Sequence, residues 1–129
     1  MRVWLYARLS NDDDREMNSL LNQREICQAF AEQHGYIIVG QSFDDNISGM
    51  SFDRRGLDEL TAAVDADMID AVIVKDLSRL GRHRTQTALF IDYLREHQVR
   101  VISATEGVDT FRDEDDLIIG VRGLMNDYY

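Results

Sequence analysis

The chain has 129 residues, room for one domain with a single core and little space for a second. Hydrophobic residues make up 44% of it, ordinary for a folded globular protein, and the lone cysteine, Cys27, excludes an internal disulfide framework. No apolar run approaches the roughly 20 residues needed to span a bilayer, and a formal net charge of −10 argues against binding nucleic acid through overall charge.

Residues 3–9 predict a first strand, rich in β-formers. A helix follows over residues 19–33, where Leu20, Gln23, Cys27, Phe30 and Ala31 share one side, and Gly35 stops it. Residues 36–43 predict the second strand and residues 44–53 a loop. A helix over residues 55–66 buries Leu57, Leu60 and Val64. The run 69–74, apolar but for Asp70, predicts a strand covered on both faces. Residues 85–97 predict a helix with Ala88, Ile91 and Leu94 on its stripe, and residues 99–104 another buried strand. From Asp113 onward a last helix is expected, with Leu117, Val121, Leu124, Met125 and Tyr128 in step and an acidic first turn. Alternating strands and helices predict an α/β three-layer sandwich, its mostly parallel central sheet of four to five strands flanked by helices. The last helix reaches Tyr129 with its apolar stripe in phase and no cap, so the chain is expected to be cut from a longer protein. A terminal helix docked on the core is the other reading.

In such a sheet, ligands bind beyond the carboxyl ends of the strands. Period-two alternation puts Arg8 and Ser10 on one side of the first strand, with Leu9 on the other. A guanidinium beside a hydroxyl suits an anionic electrophile such as phosphate; alone, the pair is equally a strand-end serine with a surface arginine. Gln23 falls within the apolar face of its helix, where a buried amide must find partners. It either orients Ser10 or a phosphate oxygen, or bonds a loop carbonyl in the core. The third strand leads into Lys75-Asp76-Leu77-Ser78-Arg79-Leu80-Gly81-Arg82-His83-Arg84. Arg79 and Arg82 are spaced to share one face of a helix or tight turn, and Leu77 and Leu80 anchor it; a solvated basic turn is the alternative. Arg54 adds a cation after the second strand, beside a loop with Gly49. The acid runs at residues 12–14, 44–45 and 109–116 read as solvated faces.

Four motifs now stand in order: Tyr6-Ala7-Arg8-Leu9-Ser10; Gln23; Ser48-Gly49 with Asp53-Arg54-Arg55-Gly56; and Leu77-Ser78-Arg79-Leu80-Gly81-Arg82. Together they resemble the resolvase/invertase family of serine site-specific recombinases. The insertion at residues 11–18, the Lys75-Asp76-Leu77-Ser78 wording, Glu106-Gly107-Val108-Asp109-Thr110 and the close Asn126-Asp127-Tyr128-Tyr129 are similar to the large enzymes of that family, the phage integrases and conjugative-transposon transposases.

The resemblance implies that residues 1–129 are an N-terminal catalytic domain ending where a long dimerisation helix begins, without the DNA-binding domains. It implies Ser10 as the nucleophile that forms a 5′-phosphoserine link to DNA. Arg8, Arg79 and Arg82 would surround the scissile phosphate, with Gln23 and Arg54 as further active-site positions. Tyr6, Ser48 and Ser78 are secondary candidates; Ser78 stands where resolvases have an aspartate. No cofactor and no metal is expected, since arginines take over the electrostatic task of metal ions. The partner is DNA, with a homodimer or tetramer in the full-length protein and a monomer or dimer for this chain alone. The expected location is the cytoplasm, the gene bacterial or carried by a phage or mobile element. His34 and His97 read as capping or surface residues, and arginines lowering the effective pKa of Ser10 are the expected route to its deprotonation. Two rivals make other predictions. A response-regulator receiver domain would be phosphorylated on Asp76 with Mg²⁺, and a metal-dependent nuclease would use the acids at 12–14 and 44–45.

Overall fold

The computed structural model describes residues 1–10, 13, 15–46, 54–81 and 84–110. The expected last helix, Arg82, His83 and Ser48 lie outside the described residues.

The elements in chain order are β1 (Arg2–Ser10), α1 (Arg15–Asn18), α2 (Leu20–Gln33), β2 (Ile37–Asn46), α3 (Arg55–Asp65), β3 (Ala71–Val74), a 3-10 turn (Leu77–Leu80), α4 (Arg84–Glu96), β4 (Arg100–Ser103) and β5 (Val108–Asp109). They form one sheet in the order β2-β1-β3-β4-β5. The first four strands pair in parallel, and β5 turns back antiparallel on β4. The helix α2 starts at Ser19, whose hydroxyl accepts the Asn22 amide at 3.0 Å. It ends before Gly35 at φ +70°, a left-handed position that glycine takes without a Cβ penalty.

The pleat of β1 sorts its side chains between two cores. Val3 and Leu5 pack with Cys27 and Ala31 of α2 and with Ala71 and Ile73 of β3. Trp4 and Tyr6 point the other way, into a cluster with Leu60 and Val64 of α3 and Ile91 and Leu94 of α4. Thus α2 covers one face, and α3 and α4 cover the other. All four residues of β3 are completely buried, as its unbroken apolar run predicts for a strand covered on both sides. Full burial of Leu60 and of Leu94 stabilises the fold by about 1.5–3 kcal/mol each.

Three details differ from the sequence reading. Residues 44–46 are strand, not loop: Arg8, Leu9 and Ser10 pair with Asp44, Asp45 and Asn46. Polar residues with low strand propensity are held in the ladder because β1 supplies partners and Asp44 binds the start of α3. The short α1 lies inside the stretch taken as an insertion, and β5 is too short, at two residues, to carry a periodicity.

The crossover from β1 runs toward β2 and that from β3 toward β4, so the strand order reverses between β1 and β3. That switch point opens a crevice at the carboxyl ends of these two strands.

One glycine fixes how α3 meets the sheet. A Cβ at Gly56 would lie 2.4 Å from the Phe43 carbonyl oxygen and 2.6 Å from its carbon. The Gly56 amide also donates to Asp44 Oδ1 at 2.7 Å. The substitution Gly56→Ala is therefore expected to destabilise the fold by about 1–3 kcal/mol through overpacking. The urea unfolding midpoint measures this, and an unchanged midpoint would show that the helix has slack to withdraw.

Candidate functional site

Ser10 ends β1 at the switch point, half-buried, on the same side of the strand as Arg8. The Asp13 amide donates to the Ser10 carbonyl at 3.1 Å. In return Asp13 Oδ2 accepts from the Ser10 amide at 2.9 Å and from Ser10 Oγ at 3.2 Å. The nucleophile candidate thus has a carboxylate at hydrogen-bond distance.

The 3-10 turn after β3 delivers Arg79 to the same place. Its residues behave as their spacing predicts: Leu80 is buried, Leu77 packs against the α3/α4 core, and Ser78 is exposed. The turn is pinned at its start. Asp76 caps it by accepting the Ser78 amide at 3.1 Å and the Ser78 hydroxyl, and the Leu77 amide donates to Glu106 at 2.9 Å. Arg79 is only 4% exposed. Its Nη1 donates to the Arg8 carbonyl at 2.8 Å and to Asp13 Oδ2 at 2.7 Å, and its Nη2 to Asp76 Oδ2 at 3.2 Å. Burial alone would lower the guanidinium pKa, but the two carboxylates outweigh it and hold Arg79 charged. Burial likewise works to raise the Asp13 pKa, and the hydrogen bonds from Arg79 and the Ser10 amide overcome it, leaving that carboxyl below its ordinary value.

Arg8 reaches across from β1 to the same turn, where its Nη2 donates to the carbonyls of Ser78 and Gly81, the latter at 3.1 Å. Arg54 stands exposed at the start of α3. Arg8, Arg54 and Arg79 all line one basin of about 710 Å³, walled by α4 through Gln86, Leu89 and Phe90. Ser10 lies two residues further along β1 and is not among the lining residues.

Gln23 is fully buried on the α2 side of the sheet, opposite the side chains of Arg8 and Ser10. Its amide touches neither of them. Oε1 accepts the Arg8 amide at 3.1 Å, and Nε2 donates to the Arg8 and Asn18 carbonyls at 2.9 and 2.8 Å. Of the two readings of this residue, the structure shows the carbonyl-bonded core glutamine, and its bonds fall on the backbone that carries the site. Lys75 ties the same corner together, donating to the Met17 carbonyl, Asn18 Oδ1 and Asn22 Oδ1 at 2.6, 2.7 and 3.1 Å.

Tyr6 shares the face of β1 that carries Arg8 and Ser10, but its hydroxyl is bonded to Asp44. This buried hydroxyl donates to Asp44 Oδ2 at 2.7 Å, and Asp44 accepts the Gly56 and Leu57 amides, fixing the start of α3 next to Arg54. Burial first, and the Asp44 bond second, raise the Tyr6 pKa. Ser78 is exposed, with its hydroxyl bonded to Asp76. Of the nine site residues expected from sequence, Arg8, Arg54 and Arg79 share the basin and Ser10 stands at the strand end beside it, Gln23 and Tyr6 brace the strand from its two faces, Ser78 is exposed on the 3-10 turn, and Arg82 and Ser48 are outside the described residues.

Sequence reading missed the acids. Asp13, Asp44 and Asp76, taken as solvated or as candidates for metal and phosphorylation chemistry, each bind named donors of the site. The signal for Asp13 was its position three residues after Ser10, the spacing of a reciprocal side-chain cap.

Comparison with known proteins places this geometry. The family model described as the N terminal domain of resolvase matches residues 3–129. The Transposon Tn3 resolvases of Escherichia coli and Klebsiella pneumoniae are each 29% identical over 121 residues, which is 94% of this chain and 60% of the relative. The chain thus spans about three-fifths of the length of the curated relatives it matches. A resolvase family site-specific recombinase from Streptococcus pneumoniae superposes with a TM-score of 0.80 at 27% identity, covering 99% of this chain and 87% of that one. The N-terminal catalytic domain of TP901-1 integrase shares the fold, with a TM-score of 0.77 at 22% identity over 99% and 95% of the two chains. With a family match along nearly its whole length and the strand-end serine set among arginines, the chain belongs to the resolvase family of serine recombinases.

Proposed function

We propose that this chain is the catalytic domain of a site-specific DNA recombinase that cuts and rejoins strands through a 5′-phosphoserine intermediate at Ser10. The observation that carries the reading is the sharing of Asp13 Oδ2 by the Ser10 hydroxyl and the buried Arg79 guanidinium at the switch point of the sheet, with Arg8 reaching the turn that carries Arg79. Ser10 Oγ attacks phosphorus, the new Oγ–P bond replaces the P–O3′ bond, and a 3′-hydroxyl is released. The phosphoserine ester retains the energy of the phosphodiester, so rejoining needs no nucleotide cofactor. Charge that develops on the phosphoryl oxygens is met by Arg79, Arg8 and Arg54, with Arg82 as a fourth cation; fixed cations here do the work of metal ions elsewhere. Gln23 and Tyr6 act through the backbone of β1 and the start of α3, and Ser48 and Ser78 complete the set of site positions.

In this reading residues 1–129 form the catalytic domain, and DNA is gripped by elements outside it. The net charge of −10 supports that division, because phosphate contacts from Lys and Arg supply most duplex affinity. The working enzyme is a homodimer or tetramer acting on DNA in the cytoplasm, and the 129-residue chain alone is a monomer or dimer that does not recombine.

Two measurements test this. With the full-length protein and a nicked duplex of its crossover site, a covalent protein–DNA adduct is expected to form and to survive EDTA. Ser10→Ala should abolish it, and Arg79→Ala should slow it by about 10²-fold or more. An adduct that persists in Ser10→Ala, or that vanishes with EDTA, rejects the mechanism. The 129-residue chain alone should bind duplex DNA weakly and without sequence preference in a fluorescence anisotropy titration. Tight site-specific binding would place the DNA-recognition surface within this chain instead.

A further inference from the structure

We propose that Asp13 takes the proton from Ser10 as Ser10 attacks the phosphodiester, an inference that rests on Ser10 being the nucleophile. Among the described residues, the carboxylate in contact with the reacting hydroxyl is that of Asp13, with Oδ2 3.2 Å from Ser10 Oγ. This is within the reach required of a general base. The contact is built, not incidental. Asp13 Oδ2 is held by the Ser10 amide at 2.9 Å and by Arg79 Nη1 at 2.7 Å, and the Asp13 amide closes the turn onto the Ser10 carbonyl. Arg79 is itself buried and locked to Asp76, so the carboxylate cannot drift without unseating a buried charge.

Among the described residues, the groups facing Asp13 are the Ser10 amide and hydroxyl and the Arg79 guanidinium, with Asp76 on the far side of Arg79. Arg79 keeps Asp13 ionised throughout the neutral range. A carboxylate so stabilised is a weak base, and phosphoryl transfer tolerates one. In its loose transition state the nucleophile loses its proton late, and an aspartate performs this task for the substrate hydroxyl in protein kinases. The step balances. The Ser10 Oγ–H bond breaks and its proton passes to Asp13 Oδ2 while Oγ bonds to phosphorus and O3′ leaves. Solvent water then protonates O3′, and Asp13 returns its proton to solvent. In rejoining, the same transfers run backwards.

The test measures single-turnover adduct formation by the full-length protein on a nicked duplex of its crossover site, across about pH 6 to 9. Asp13→Asn keeps an oxygen acceptor for the Ser10 amide but cannot take up the proton. Its rate at pH 7 should fall by about 10²- to 10⁴-fold. Its log rate should then climb by about one per pH unit as hydroxide replaces the carboxylate, while the wild-type rate stays flat. Asp13→Glu, which restores a carboxylate one methylene further out, should recover part of the rate and the flat profile. A wild-type or faster rate in Asp13→Asn would overturn the proposal and show a carboxylate that holds the site closed. A slow rate with a flat profile would also overturn it, leaving Asp13 a shaping role only. If the wild-type protein forms no adduct, or Ser10→Ala still forms one, the reading of Ser10 falls rather than the role of Asp13.

Discussion

The structure turns on one buried cation. Arg79 lies under the end of β1, almost without solvent, and its guanidinium joins three segments: the Arg8 carbonyl on β1, Asp13 in the turn after it, and Asp76 at the start of its own turn. A buried charge is tolerated only when paired and hydrogen-bonded. Removing one partner of such a pair commonly costs about 3–5 kcal/mol, because the other charge is left uncompensated. The position of Ser10 therefore follows from the electrostatic demands of Arg79. Its Nε is buried with no acceptor among the described residues.

The strand end is held from both faces by different means. On the α2 side, Gln23 grips both polar groups of the Arg8 backbone, while Lys75 secures the α1–α2 corner that supplies the Asn18 carbonyl. On the α3 side, Tyr6 and Asp44 set the start of α3 and with it Arg54. Side-chain amides and hydroxyls that sequence motifs assign to a site need not touch the ligand. Here they fix the strand end and the helix start that carry the candidate site, and a shift of about 1 Å in such a support can cost two orders of magnitude in rate.

The layered fold was legible because its signals are strong and local. The run 69–74 pointed to a strand buried on both faces, which is realised over Ala71–Val74, and Ser19 and Gly35 bracket α2 with cap chemistry. Arg8, Ser10 and Arg79 were legible as a group because the switch-point rule links the ends of β1 and β3. The acids were not, since a solvated aspartate and one bound by an arginine 66 residues away look the same in a linear chain. Asp44 to Asn46 failed for a related reason: their strand depends on a partner strand far away in sequence. The side chosen by Gln23 was legible, but its bonding partner was not, because an amide on an apolar face announces only that some partner exists.

The acidic balance and the arginine site then fit together without conflict. A cation already paired with carboxylates adds little to ground-state attraction for a phosphate, and Arg79 carries two. In the proposed mechanism, its charge counts fully only when the phosphoryl oxygens gain charge during attack and compete for its donors. Interactions stronger in the transition state than in the ground state are those that accelerate the chemical step. A catalytic domain with such a site has no need of a basic surface. In the proposed mechanism an acidic one leaves DNA capture to other elements, and the arginines act at the moment the strand is cut.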